Sequence, residues 1–66
     1  MMVNGSEERL PGVDMTLDAF LKHKGLEAGS VVVERNGDVV ERSRFGAVLL
    51  DEADQLEILR FVGGGA

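Results

Sequence analysis

The sequence predicts an α+β fold: a mixed sheet of four to five strands with one main helix packed on one face. Three observations carry this. Two Asn–Gly pairs, Asn4–Gly5 and Asn36–Gly37, each stand between strand-like flanks. That is the strongest short hairpin signal, because both residues tolerate positive φ. Between the two lies one stretch of helical periodicity, Thr16 to Lys24. At roughly nine residues such a helix does not persist alone and has to lie on a sheet. A helix between two β pairs gives a two-layer sandwich.

The first hairpin starts at Met1–Met2–Val3, turns on Asn4–Gly5 and returns along Glu7–Glu8–Arg9–Leu10 until Pro11–Gly12 stops it. Thr16 is a good N-cap, Asp18 sits in the first turn, where the helix dipole favours an anion, and Lys22, His23 and Lys24 gather at the other end. Met15 and Phe20 are spaced for a hydrophobic staple. Leu17, Phe20 and Leu21 supply the apolar stripe, and Gly25 is a natural stop. Val31–Arg35 is a strand by β-branched content, with Asp38–Val40 returning after Asn36–Gly37. Glu41 to Gly46 reads as a polar, irregular crossing around one aromatic, Phe45. Val48–Leu50 reads as a short strand, Asp51–Asp54 as a solvated turn, and Gln55–Val62 as the longest strand. This order is that of the β-grasp (ubiquitin-like) fold, in which the last strand lies beside the first. Residues 1–62 are expected to form one such domain, and 63–66 a flexible glycine-rich tail.

Composition narrows the function classes. Seven Lys and Arg against twelve Asp and Glu give a net charge of −5. That balance repels phosphate backbones, so no nucleic-acid partner is expected. Cysteine is absent, which excludes a disulfide framework, a thiolate metal site and a cysteine nucleophile. No apolar run approaches the ~20 residues of a membrane span, and the start lacks the order of a signal peptide. The expectation is a cytoplasmic protein with no membrane partner. His23 stands without acidic ligands spaced around it, and reads as a solvated helix-end residue. No acid–base pair, nucleophile dyad, metal set or phosphate-cradling loop is visible, so an enzyme is not expected.

The last strand has a spare face. Alternation puts Leu56 and Ile58 on one side and Glu57, Leu59 and Phe61 on the other. Glu57 avoids the core, so Leu56 and Ile58 are expected to meet Leu17, Phe20 and Leu21. Leu59 and Phe61 are then either a partner-docking patch beside the tail, or apolar residues covered by a loop or simply scattered. Gly63–Gly64–Gly65 packs nothing. Alone it reads as a frayed end or a linker. Leaving a rigid strand, it is a strip narrow enough to enter a tunnel and present a terminal carboxylate.

The chain resembles the ThiS family, the ubiquitin-like sulfur carriers of thiamine biosynthesis. The resemblance rests on Val3–Asn4–Gly5, on Thr16–Leu17–Asp18–Ala19–Phe20–Leu21 and on Val33–Glu34–Arg35–Asn36–Gly37. It continues through Arg42–Ser43–Arg44–Phe45 and Leu56–Glu57–Ile58 into Phe61–Val62–Gly63–Gly64–Gly65. It implies a carrier for thiazole formation rather than a catalyst. A ThiF-type adenylating enzyme, which binds the ATP and magnesium, would activate Gly65, with Gly64 beside it. A persulfide donor would convert that end to a thiocarboxylate, and a ThiG-type thiazole synthase would accept the sulfur. This chain would bind no cofactor itself. Leu59, Phe61, Val62 and Gly63 would meet the partners. One departure is plain: the family ends on glycine, whereas Ala66 follows Gly65 here. The carrier reading therefore expects a mature end at Gly65. The alternatives are a MoaD-like carrier for molybdenum-cofactor synthesis and a non-conjugating ubiquitin-like binding module.

Overall fold

A computed structural model of the protein describes residues 1–61. The elements are β1 (Met2–Val3), β2 (Ser6–Glu7), α1 (Leu17–His23), β3 (Val31–Arg35), β4 (Asp38–Val40) and β5 (Gln55–Arg60). Short 3₁₀ turns span Ala28–Ser30 and Arg42–Arg44. The strands form one five-stranded sheet in the order β2-β1-β5-β3-β4. β1 and β5 run parallel and every other neighbouring pair antiparallel, so the sheet is mixed with β5 at its centre.

Both hairpins close through two residues of positive φ: Asn4 and Gly5 at 51° and 83°, Asn36 and Gly37 at 53° and 90°. That is the turn whose twist matches paired strands. The registers follow, Val3 opposite Ser6 and Arg35 opposite Asp38. The first return strand is shorter than the sequence suggests and begins earlier, at Ser6–Glu7 rather than Glu7–Leu10. Beyond Glu7 the pairing runs on for one residue, with the Glu8 N–H donating to the Met1 carbonyl at 2.7 Å, and the Leu10 N–H then donates to Glu52 Oε2 at 3.2 Å.

Helix α1 is held at both ends. Thr16 Oγ1 accepts from the Ala19 N–H at 3.1 Å, as the cap predicts. The two donors before it are taken by the crossing: the Leu17 N–H gives to the Val48 carbonyl at 2.8 Å and the Asp18 N–H to the Phe45 carbonyl at 3.0 Å. At the far end the Gly25 N–H donates to the Lys22 carbonyl at 3.0 Å, and the Leu26 N–H to the Leu21 carbonyl at 2.8 Å. With Gly25 at φ 75°, this is a Schellman motif. Lys22 pairs with Asp18 across one turn at 3.2 Å.

The core lies between helix and sheet. Leu17, Phe20 and Leu21 bury against Val3, Val31, Val33, Leu56 and Ile58, and Phe45 and Leu50 complete it from the crossing. Val48–Leu50 is not a strand of the sheet; Leu49 makes one isolated bridge to Thr16 and Leu50 drops into the core. Nor is the 51–54 turn wholly solvated. Asp54 is only 6% exposed. It accepts from Arg35 Nε at 3.1 Å, Asn36 Nδ2 at 3.0 Å and the Asp51 N–H at 2.9 Å. Among the described residues no helix is long and apolar enough to cross a membrane.

Candidate functional site

Strand β5 carries Leu59 and leads directly into Phe61, the two candidate docking residues that lie among the described residues. β5 is fixed along its length by side chains as well as by its neighbours. Asn4 makes a strand-like pair with Ile58: its Nδ2 donates to the Ile58 carbonyl at 3.1 Å, and its Oδ1 accepts the Ile58 N–H at 2.7 Å. Asn36 Oδ1 accepts the Gln55 N–H at 2.9 Å at the start of the strand. The Phe61 N–H donates to the Ser30 carbonyl at 3.0 Å, one residue past the strand end. Thus each Asn–Gly turn carries a latch on β5 in addition to its hairpin. The dipeptide itself signals only the turn, so these latches were not readable from it.

The faces of β5 divide as alternation requires. Leu56 and Ile58 are buried under the helix; Leu59 is 67% exposed and Phe61 43% exposed. The sheet register sets Val32 directly opposite Leu59 and places Val39 opposite Glu34 on the same open side. Val32 and Val39 are 41% and 63% exposed. Alternation along β5 alone identifies Leu59 and Phe61 as the apolar residues of this face, since which valines share it depends on strand pairing. Glu34 stands directly opposite Glu57. Like charges so placed destabilise a sheet, and neither has an ion-pair partner among the described residues. An apolar patch beside two unpaired carboxylates suits a partner surface that is apolar with a basic rim.

The electrostatics at the other end of β5 are structural. Burial raises the Asp54 pKa, but the hydrogen bonds from Asn36, the Asp51 amide and Arg35 outweigh it and hold the carboxyl below its ordinary value. That keeps Asp54 ionised, tying the second hairpin to the strand that carries the chain end. Of the residues singled out from sequence, Val62, Gly63, Gly64, Gly65 and Ala66 lie outside the described residues.

Comparison with known proteins adds three findings. The model of the ThiS family matches residues 1–65. A thiazole synthase of Paramagnetospirillum magneticum is 39% identical over the whole of this chain, which spans 20% of that protein's length, and the sulfur carrier protein ThiS of Bacillus subtilis is 34% identical over 98% of both chains. The crystal structure of the thiamine biosynthesis protein (ThiS) from Geobacter metallireducens superposes with a TM-score of 0.80 at 35% identity, covering 97% of this chain and 96% of that one.

Proposed function

Because the chain belongs to the ThiS family, we propose that it is the sulfur carrier for assembly of the thiazole ring of thiamine, with Gly65 as the reacting residue. The observation that carries this is the family match: it runs through the glycine strip and ends at Gly65, leaving out Ala66. A carboxylate is a poor electrophile, so Gly65 has to be activated. A ThiF-type enzyme, holding ATP and magnesium, transfers AMP to the carboxylate and releases pyrophosphate. A persulfide sulfur then displaces AMP to give an acyl disulfide, and a thiol attacks the donor's sulfur in that S–S bond, forming a disulfide with the donor and releasing the glycyl thiocarboxylate. Glycine leaves that carbonyl open to attack from either side, and Gly64 keeps the approach narrow.

The carrier supplies no catalytic group in this scheme. It supplies the strip and a body to hold by: Leu59 and Phe61, with Val62 and Gly63 leading into the partner. A thiazole synthase that includes a stretch like this whole chain supports a ThiG-type synthase as the acceptor of the sulfur. The chemistry needs a free Gly65 carboxylate, so the Gly65–Ala66 peptide bond is cut before activation.

The test is intact mass after incubation with a ThiF-type enzyme, ATP, magnesium and a persulfide donor in extract of the source cells. A Gly65-ended thiocarboxylate is expected, and a chain lacking Gly64 and Gly65 should stay unmodified. Recovery of nothing but the unmodified full-length chain would refute the reading.

A further inference from the structure

We propose that Arg60 sets the rotational position in which the glycine strip enters a partner, by pairing with a carboxylate at the mouth of the partner's tunnel. The inference rests on the carrier reading above. Glycine has no side chain, so residues 63–65 cannot report to a partner which way round the strip is turned. That information has to come from the side chains just before them. Along β5 these alternate: Leu59 lies on the open face opposite Val32, and Arg60, the last residue of the strand, lies opposite buried Val31 on the helix side. A collar closing around the chain beyond Phe61 therefore meets apolar groups from one side and a guanidinium from the other.

On the helix side Arg60 borders an open groove of about 350 Å³, with Val3, Leu26 and Ile58 among its apolar walls. The other charged groups there, and the Asn4 amide, are already engaged. Lys24 Nζ donates to both Glu8 oxygens at 2.7 and 2.9 Å, and the Asn4 amide is bonded to Ile58. Arg60 is exposed and has no ion-pair partner among the described residues. A free guanidinium over a partly apolar groove fits a carboxylate carried on an apolar segment, which the planar fork can grip at two points. The collar is thus two-signed: basic where it faces Glu34 and Glu57, acidic where it faces Arg60.

The experiment is ATP–pyrophosphate exchange by the adenylating enzyme, with the Gly65-ended carrier as varied substrate, for wild type, R60K, R60L and R60E. KM is expected to rise about fivefold for R60L and more than about tenfold for R60E, with R60K between wild type and R60L because an ammonium keeps the charge but not the two-point grip, and with kcat and Tm unchanged throughout. The wild-type KM should also climb with ionic strength more steeply than that of R60L. Equal KM values across the four proteins, or a joint fall of kcat and Tm that R60K shares, would overturn the proposal. If wild type itself supports no exchange, the carrier reading fails and this inference falls with it, so the two failures are distinguishable.

Discussion

Asp54 shows how much one carboxylate can hold. It sits beneath the second hairpin and joins Arg35, Asn36 and the Asp51 amide just before β5 begins. Replacing it with asparagine puts an amide NH₂ among donors and leaves at least one of them unmet, a cost of about 1–3 kcal/mol. Because its pKa is lowered in the folded protein, its contribution is fully present above the ordinary aspartate value of 3.8 and fades as pH falls through the lower folded value. Denaturant melts of wild type and D54N should therefore differ at neutral pH and converge in acid; a gap that persists unchanged to the lowest pH would count against this account. Leu59 is the contrasting case. It is mostly exposed, so L59D should leave Tm within a few degrees while raising the KM of the carrier in adenylation. A large drop in Tm would instead mean that the side chain serves the fold.

Helix α1 illustrates which parts of the structure can be read from local sequence. Thr16, the apolar stripe and Gly25 are local signals with local causes, and each is found where the periodicity puts it. The two Asn–Gly hairpins are equally direct, because positive φ is demanded by the turn and tolerated by those residues. What was not legible is long-range. The crossing around Phe45 looks polar and irregular, yet Phe45 is a core residue and its carbonyl, with that of Val48, satisfies the first donors of the helix. No local pattern specifies that a segment some 28 residues on will finish a helix start. The burial of Asp54 and the sharing of the open face by Val32 and Val39 were hidden for the same reason: both depend on strand pairing. T16A should cost about 1 kcal/mol, the usual value of a cap. F45A should cost about 3–5 kcal/mol by emptying a core site. Urea melts would separate them, and equal losses would contradict the division of roles.

At the scale of the whole molecule, the open face of the sheet carries a like-charge pair that costs stability. Glu34 and Glu57 face each other across β3 and β5, an arrangement that favours neither strand. E57K should convert the repulsive pair into an attractive one and raise Tm by a few degrees, while weakening capture by the adenylating enzyme at low salt. A variant that gained both stability and affinity would show that the open face is not the docking face. The strand order has a consequence for synthesis. β1 is made first, yet its parallel neighbour β5 is made last, and β5 also separates β1 from β3. The first hairpin can form early but cannot join the second until residues 55–60 arrive to stand between them. Closing that long loop has to precede most of the burial, so the body assembles in one late step rather than from its N-terminus onward. For a ribosome making this chain, nearly every residue before β5 waits on the segment that completes the sheet.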